Sequence, residues 1–131
     1  MKNRWTHSNK AIFNVNYHFV WCPKYRRDNL HGKLSLRLKE LLYEKAEELE
    51  IVIENLSING DHLHLFIKST TTYSPHFIVQ QLKGYSSRIL RKEFVELLKM
   101  PTLWTRAYYC ETIGHISENT VKKYIEDQKN K

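Results

Sequence analysis

The chain has 131 residues, enough for one compact domain, and its 41% hydrophobic content with only 4 Gly and 3 Pro excludes disordered and fibrous classes. No apolar run approaches the roughly 18 residues of a membrane span. The opening MKNRWTHSNK lacks the apolar core of a secretory leader, so a cytoplasmic protein without membrane attachment is expected. An excess of 21 Lys and Arg over 14 acidic residues, net +7, points to a polyanionic partner such as nucleic acid; the bland alternative is ordinary solubility charge.

Repeats, low-complexity tracts and linkers are absent, so residues 1–131 read as a single domain. AIFNVNYHFVWC alternates Phe13, Val15, Tyr17, Phe19 and Trp21 against mostly polar neighbours, the period of a half-buried strand. PKYRRDNLHGK follows as a basic loop. From Leu34 to Glu50, Leu34, Leu38, Leu41, Leu42 and Leu49 recur at helical spacing among charges, which predicts an amphipathic helix. IVIENLSI and HLHLFIK, separated by Asn59-Gly60-Asp61, predict a hairpin in which Asn-Gly supplies positive φ angles. Ser74-Pro75 opens a second helix that the pattern carries to about Lys99, with Pro101 ending it. RAYYCETI is a fourth strand broken by Gly114. Ser117 is a candidate N-cap for a final helix, ENTVKKYIEDQ. Cys22 and Cys110 lie far apart with no CxxC spacing and are expected as two reduced, half-buried thiols.

The order strand, helix, strand, strand, helix, strand predicts an α+β fold of ferredoxin-like or RRM-like type. Such a fold has an antiparallel four-stranded sheet with two helices on one face, here with a C-terminal helix added. That architecture hosts many activities and decides none.

Within the third strand, His62 and His64 project from one face, about 7 Å apart at Cα, while Leu63 and Leu65 point to the other. Two imidazoles so placed can share one metal ion, or can be unrelated surface histidines. In the last helix Tyr124 and Gln128 stand at i and i+4 and stack on one face. Gln128 offers a carbonyl oxygen and Tyr124 a hydroxyl; alternatively, one packs and the other is a solvated helix end. Basic and aromatic residues interleave at Lys24, Arg26 and Arg27. They do so again at Lys83, Arg88 and Arg91 of LKGYSSRILRK, where Tyr85, Ser86 and Ser87 add polar groups. Cations neutralise backbone phosphates and rings stack on bases, which suits single strands and hairpins. Trp21, Tyr17 and Tyr108 are assigned instead to the core. His7, His18, His31, His76 and His115 receive no role and read as polar surface residues.

GDHLHLFI followed by VKKYIEDQ, with YHFVWCPKYRR, LKGYSSRIL and YYCETIG in the same order, resembles the single-tyrosine HUH transposases. These are the TnpA-type enzymes of small hairpin-ended insertion sequences. The resemblance implies that His62, His64 and Gln128 bind Mg²⁺ or Mn²⁺ and that Tyr124 is the nucleophile forming a 5′-phosphotyrosine link to single-stranded DNA. It further implies recognition of subterminal hairpins by a homodimer whose final helix can complete the other subunit's active site. Asp61 and a metal-bound water are both candidates for the base, and Asp61 is equally a simple turn residue. Three other functions are weighed: a domesticated, hairpin-repeat-associated tyrosine nuclease, a non-catalytic nucleic-acid-binding module, whose aromatic RNP signature is missing here, and a two-histidine phosphoesterase, which would need two separate His-x-Ser/Thr motifs.

Overall fold

The structure, a computed structural model, describes residues 14–114, 116 and 118–129. Its strands and α-helices follow in chain order: β1 (Val15–Trp21), α1 (Gly32–Leu49), β2 (Val52–Asn59), β3 (His62–Ser69), α2 (Pro75–Glu93), β4 (Tyr109–Ile113) and α3 (Glu118–Lys129). The strands form one sheet in the order β2-β3-β1-β4, antiparallel throughout. β1 and β2 therefore flank β3, the split β-α-β arrangement expected from the order of elements.

The period-two alternation of the strands separates two chemically different faces. Tyr17, Phe19 and Trp21 of β1 and Leu63, Leu65 and Ile67 of β3 join one buried cluster with the leucine stripe of α1 and with Ile78, Val79, Leu82 and Leu90 of α2. Cys22 and Cys110 are half-buried thiols. The opposite face carries His18 of β1, His62, His64 and Phe66 of β3, and Tyr109 and Glu111 of β4, as the pairing of Val20 with His64 and of His18 with Phe66 and Glu111 requires.

Strand β2 keeps its apolar side inward by a bulge. Ile53 pairs with Ile67 and Asn55 with Phe66, so Glu54 is an extra residue, and the inward positions switch from Ile51 and Ile53 to Leu56 and Ile58. The uneven spacing of IVIENLSI is thereby explained.

Helix α2 starts as its sequence predicts. Ser74 caps it, its hydroxyl accepting from the Phe77 N–H at 3.1 Å, and Pro75 occupies the first turn. Its end is earlier than predicted: the backbone leaves helical geometry at Phe94 (φ −122°, ψ 90°), and Val95–Lys99 form a separate 3-10 turn. The apolar pattern continues through Leu97, which is buried, so periodicity alone does not reveal the break. In the β2–β3 turn Gly60 takes φ +52°, whereas Asn59 belongs to β2 and does not share the predicted positive φ. The proposed N-cap Ser117 lies outside the described residues.

Gly60 sets the start of β3 and hence which residues face which side. A Cβ built there would lie 2.3 Å from Asp28 Oδ1 and 3.0 Å from two atoms of the His31 ring. Gly60→Ala is accordingly expected to cost about 1–2 kcal/mol from the left-handed backbone alone, with Asp28 and His31 also displaced, read as a lowered urea midpoint at unchanged m-value.

Candidate active site

His62 and His64 lie at the start of β3 on the sheet face turned away from α1 and α2. Their ring centroids are 5.2 Å apart at 76°. His62 is half-buried and its Nδ1 is 2.7 Å from Asp61 Oδ1, while Arg26 Nε donates to the other carboxylate oxygen at 3.1 Å. Asp61 is thus held by two donors, and the hydrogen bond from His62 is the largest influence lowering its pKa, with Arg26 adding to it. A carboxylate so stabilised is a weak base. The geometry makes Asp61 an orienting partner for His62, a role outside both sequence readings, base and simple turn residue.

His64 is fully buried, and its Nδ1 lies 2.9 Å from Nε2 of His18. His18 is also fully buried, with Nδ1 3.3 Å from Glu111 Oε1. Its ring lies flat against Phe66, centroids 4.4 Å apart at 6°, with Tyr109 edge-on at 5.8 Å. The expectation that His18 is a surface residue is therefore wrong. Strand alternation put it on the histidine face, but only the register of β1 against β3 brings it to His64. Burial pushes the His18 pKa down, against an opposing pull from Glu111.

The basic residues divide into two groups. Arg26 and Arg27 are exposed in the loop after β1, and Lys24 lies with its ammonium 5.4 Å from the centroid of the exposed Tyr25 ring. That loop is held by backbone bonds, Lys24 N–H to Leu103 O at 2.8 Å and Thr105 N–H to Cys22 O at 3.1 Å. Tyr25 and Arg26 both adopt left-handed φ values of 59° and 52°, an uncommon conformation for side-chain-bearing residues. On α2, Arg88 is exposed, 5.6 Å from the Tyr85 ring centroid.

Lys83 and Arg91 belong to the scaffold. Lys83 Nζ donates to the carbonyls of Thr105 and Arg106 at 2.5 and 3.4 Å, and burial lowers its pKa. The Arg91 guanidinium donates to the carbonyls of Met100 and Pro101, both at 3.0 Å. Tyr85 and Ser86 are likewise used internally. The Tyr85 hydroxyl donates to Glu44 at 2.8 Å, and buried Ser86 donates to Leu82 O at 2.7 Å while accepting from Trp104 Nε1 at 3.1 Å. Trp21 and Tyr17 are buried and Tyr108 packs against the cluster, as assigned from sequence.

Tyr124 and Gln128 lie in α3, whose backbone confirms their i, i+4 spacing; their side chains are outside the described residues. Val121 is buried, and positions 124 and 128 follow it at three and seven residues, on one stripe of the helix. Among the described residues no group of three or more His, Cys, Asp or Glu is arranged to hold a metal. Among the described residues no helix is long and apolar enough to cross a membrane.

A family model described as "Transposase IS200 like" matches residues 11–128. The chain is 29% identical over 123 residues to the ISDra2 transposase TnpA of Deinococcus radiodurans, covering 92% of this chain and 88% of that protein. It is 31% identical over 121 residues to the transposase for insertion sequence element IS200 of Salmonella typhimurium, covering 88% and 78%. Among solved structures, a candidate transposase from Deinococcus radiodurans superposes with a TM-score of 0.76 at 27% identity over 94% of this chain and 97% of the other. A REP-associated tyrosine transposase bound to a REP hairpin shares the fold, with a TM-score of 0.59 at 11% identity over 91% and 67%.

The division of cations has a measurable consequence. Lys83→Met leaves two loop carbonyls without their donor and is expected to lower stability by about 1 kcal/mol. Arg27→Ala, exposed and without such a role, should stay within about 0.5 kcal/mol of the parent protein; chemical denaturation followed by tryptophan fluorescence compares them.

Proposed function

The chain belongs to the IS200-like transposase family, and from that premise we propose that it cleaves and rejoins single-stranded DNA at hairpin-bearing element ends through a tyrosine-linked intermediate. The observation that carries the reading is the pair His62 and His64, directed to one side of β3 with each Nδ1 already held by a neighbouring side chain. Nε2 is then the nitrogen that each ring turns to a cation, and ligating histidines commonly have their second nitrogen held in this way.

The donor set fits a divalent ion with open positions. Two imidazoles with the amide oxygen of Gln128 leave room for water and phosphate, thiolates are absent, and Mg²⁺ or Mn²⁺ is the assignment. Such an ion, when bound, neutralises charge on a nonbridging phosphate oxygen.

The remaining chemistry falls to the chain's own residues. Tyr124 supplies the nucleophile: its phenolic oxygen forms a bond to phosphorus as the bond to the 3′ oxygen breaks. The phenol proton is lost and the departing 3′ oxygen takes one up, so the phosphodiester keeps its single negative charge. A 3′-hydroxyl then attacks the phosphotyrosine and releases the phenol. Because the ester energy is retained in the linkage, rejoining needs no nucleotide cofactor. Lys24, Arg26, Arg27 and Arg88 hold the DNA backbone, with the exposed Tyr25 ring available to an unpaired base. A transposase of this fold has been solved with a REP hairpin, which supports a hairpin ligand here. The active form is a homodimer in which α3 of one copy can complete the site of the other.

Tyr124→Phe is expected to abolish covalent attachment to a labelled single-stranded oligonucleotide on a denaturing gel, while hairpin affinity stays within about twofold. Adduct persisting in that variant removes Tyr124 from the role, and hairpin binding by the parent protein with no adduct in Mg²⁺ or Mn²⁺ points to a binding module. Arg27→Ala and Arg88→Ala should each weaken hairpin binding and reduce the slope of log affinity against log salt by about one.

A further inference from the structure

His18 and Glu111 lie outside the proposed ligand set, yet both connect to it through hydrogen bonds. The His18 and His64 rings are nearly parallel, at 8°, with centroids 5.2 Å apart and facing nitrogens only 2.9 Å apart. Parallel rings meet both distances only when the two nitrogens point at each other, so the rings lie edge to edge in one plane. The bond between them is close to linear, the strong geometry for N–H···N.

One proton occupies that bond, and acceptor chemistry decides whose it is. An ionised carboxylate has no proton to give, so in the contact with Glu111 it is His18 Nδ1 that carries the hydrogen. A neutral imidazole with its hydrogen on Nδ1 has only a lone pair on Nε2. His64 Nδ1 must then be the donor toward His18, and the His64 lone pair sits on Nε2. The same rule applied to Asp61 places the hydrogen of His62 on Nδ1 and its lone pair on Nε2. Full burial of His18 disfavours a charged ring there.

We propose that Glu111 and His18 are positioning residues that fix the Nδ1–H tautomer of His64, so that this buried histidine presents a ready lone pair to the divalent cation. The inference rests on the proposed role of His64 as a ligand and adds residues that role does not name. Histidine in water favours the other tautomer, with hydrogen on Nε2, which would face a cation with an N–H. The relay reverses that preference before the ion arrives. Phe66 flat against His18 and Tyr109 at its edge hold the ring plane that the linear bond needs. No change of charge is involved. One proton is simply kept on the far side of each ring.

The test reads tautomers and metal affinity in the intact protein. Ring ¹⁵N spectra of the metal-free protein should show His64 protonated at Nδ1. In His18→Phe, which keeps a flat ring between Phe66 and Tyr109, His64 should revert to Nε2–H, and Mn²⁺ affinity by titration calorimetry should fall about 10- to 100-fold. Glu111→Ala, at a partly exposed site that tolerates truncation, should give a mixture of His64 tautomers and a smaller loss of affinity. A parent protein with hydrogen on His64 Nε2 overturns the relay. So does a folded His18→Phe or Glu111→Ala protein with His64 tautomer and Mn²⁺ affinity both unchanged. If the parent shows the expected tautomer but binds no Mn²⁺, the relay stands and the ligand role of His64 falls.

Discussion

The whole arrangement depends on β3 being an interior strand with strict alternation. β3 pairs with β2 on one side and β1 on the other, and its odd-numbered residues from Leu63 to Ile67 are buried in the helix-covered cluster. A slip of one residue would send Leu63, Leu65 and Ile67 to the polar face and His62 and His64 into the core. The apolar surface that β3 and its partners bury is therefore what aims the imidazoles. Gly60, the bulge at Glu54 and the cap at Ser74 are the local devices that let this register coexist with short connections.

The second face of the sheet is where polarity is tolerated, under a condition. His18 and His64 are completely buried there beside Phe66, and a buried imidazole without a partner costs stability. Each is instead tied into a chain that ends on a carboxylate, Glu111 for the inner pair and Asp61 for His62 at the rim. The two carboxylates differ in setting. Asp61 also accepts from Arg26, in a loop whose Tyr25 and Arg26 hold left-handed backbone geometry, so the basic loop and the rim histidine are mechanically joined. Glu111 arrives from β4, at the other edge of the sheet.

Much of this was legible in the residues themselves. The order of elements, the leucine stripe of α1, the Ser-Pro start of α2 and the same-face histidine pair follow from periods of 3.6 and 2 and from turn chemistry. What was not legible depends on pairing between distant segments. The polar face of β1 contains His18, but its partner is decided by a register that no local pattern encodes. Lys83 and Arg91 read as solvent-facing cations because a helix surface gives no sign of the loop 100–106 that wraps over it and whose carbonyls accept their hydrogen bonds. The early end of α2 at Phe94 was hidden for the same reason: Leu97 continues the apolar pattern from a different backbone geometry. Family resemblance supplied roles for Tyr124 and Gln128 that spacing alone left open.

These differences share a cause that bears on the chemistry. Residues proposed to touch DNA or metal directly, such as Arg27, Arg88 and the histidine pair, are visible as patterns because an outside ligand selects residue type and spacing along one element. Residues that hold those groups in place are chosen for a single contact with another element and leave no periodic trace. The proposed attack at phosphorus needs both classes, since a metal ligand with freedom to change tautomer or rotate loses the geometry that orientation supplies. The two carboxylates, Asp61 against His62 from a turn and Glu111 from an edge strand through His18, are the groups proposed to set proton position from opposite sides. The rigidity of the site is thus a property of the whole sheet, with β3 merely the strand on which it becomes visible.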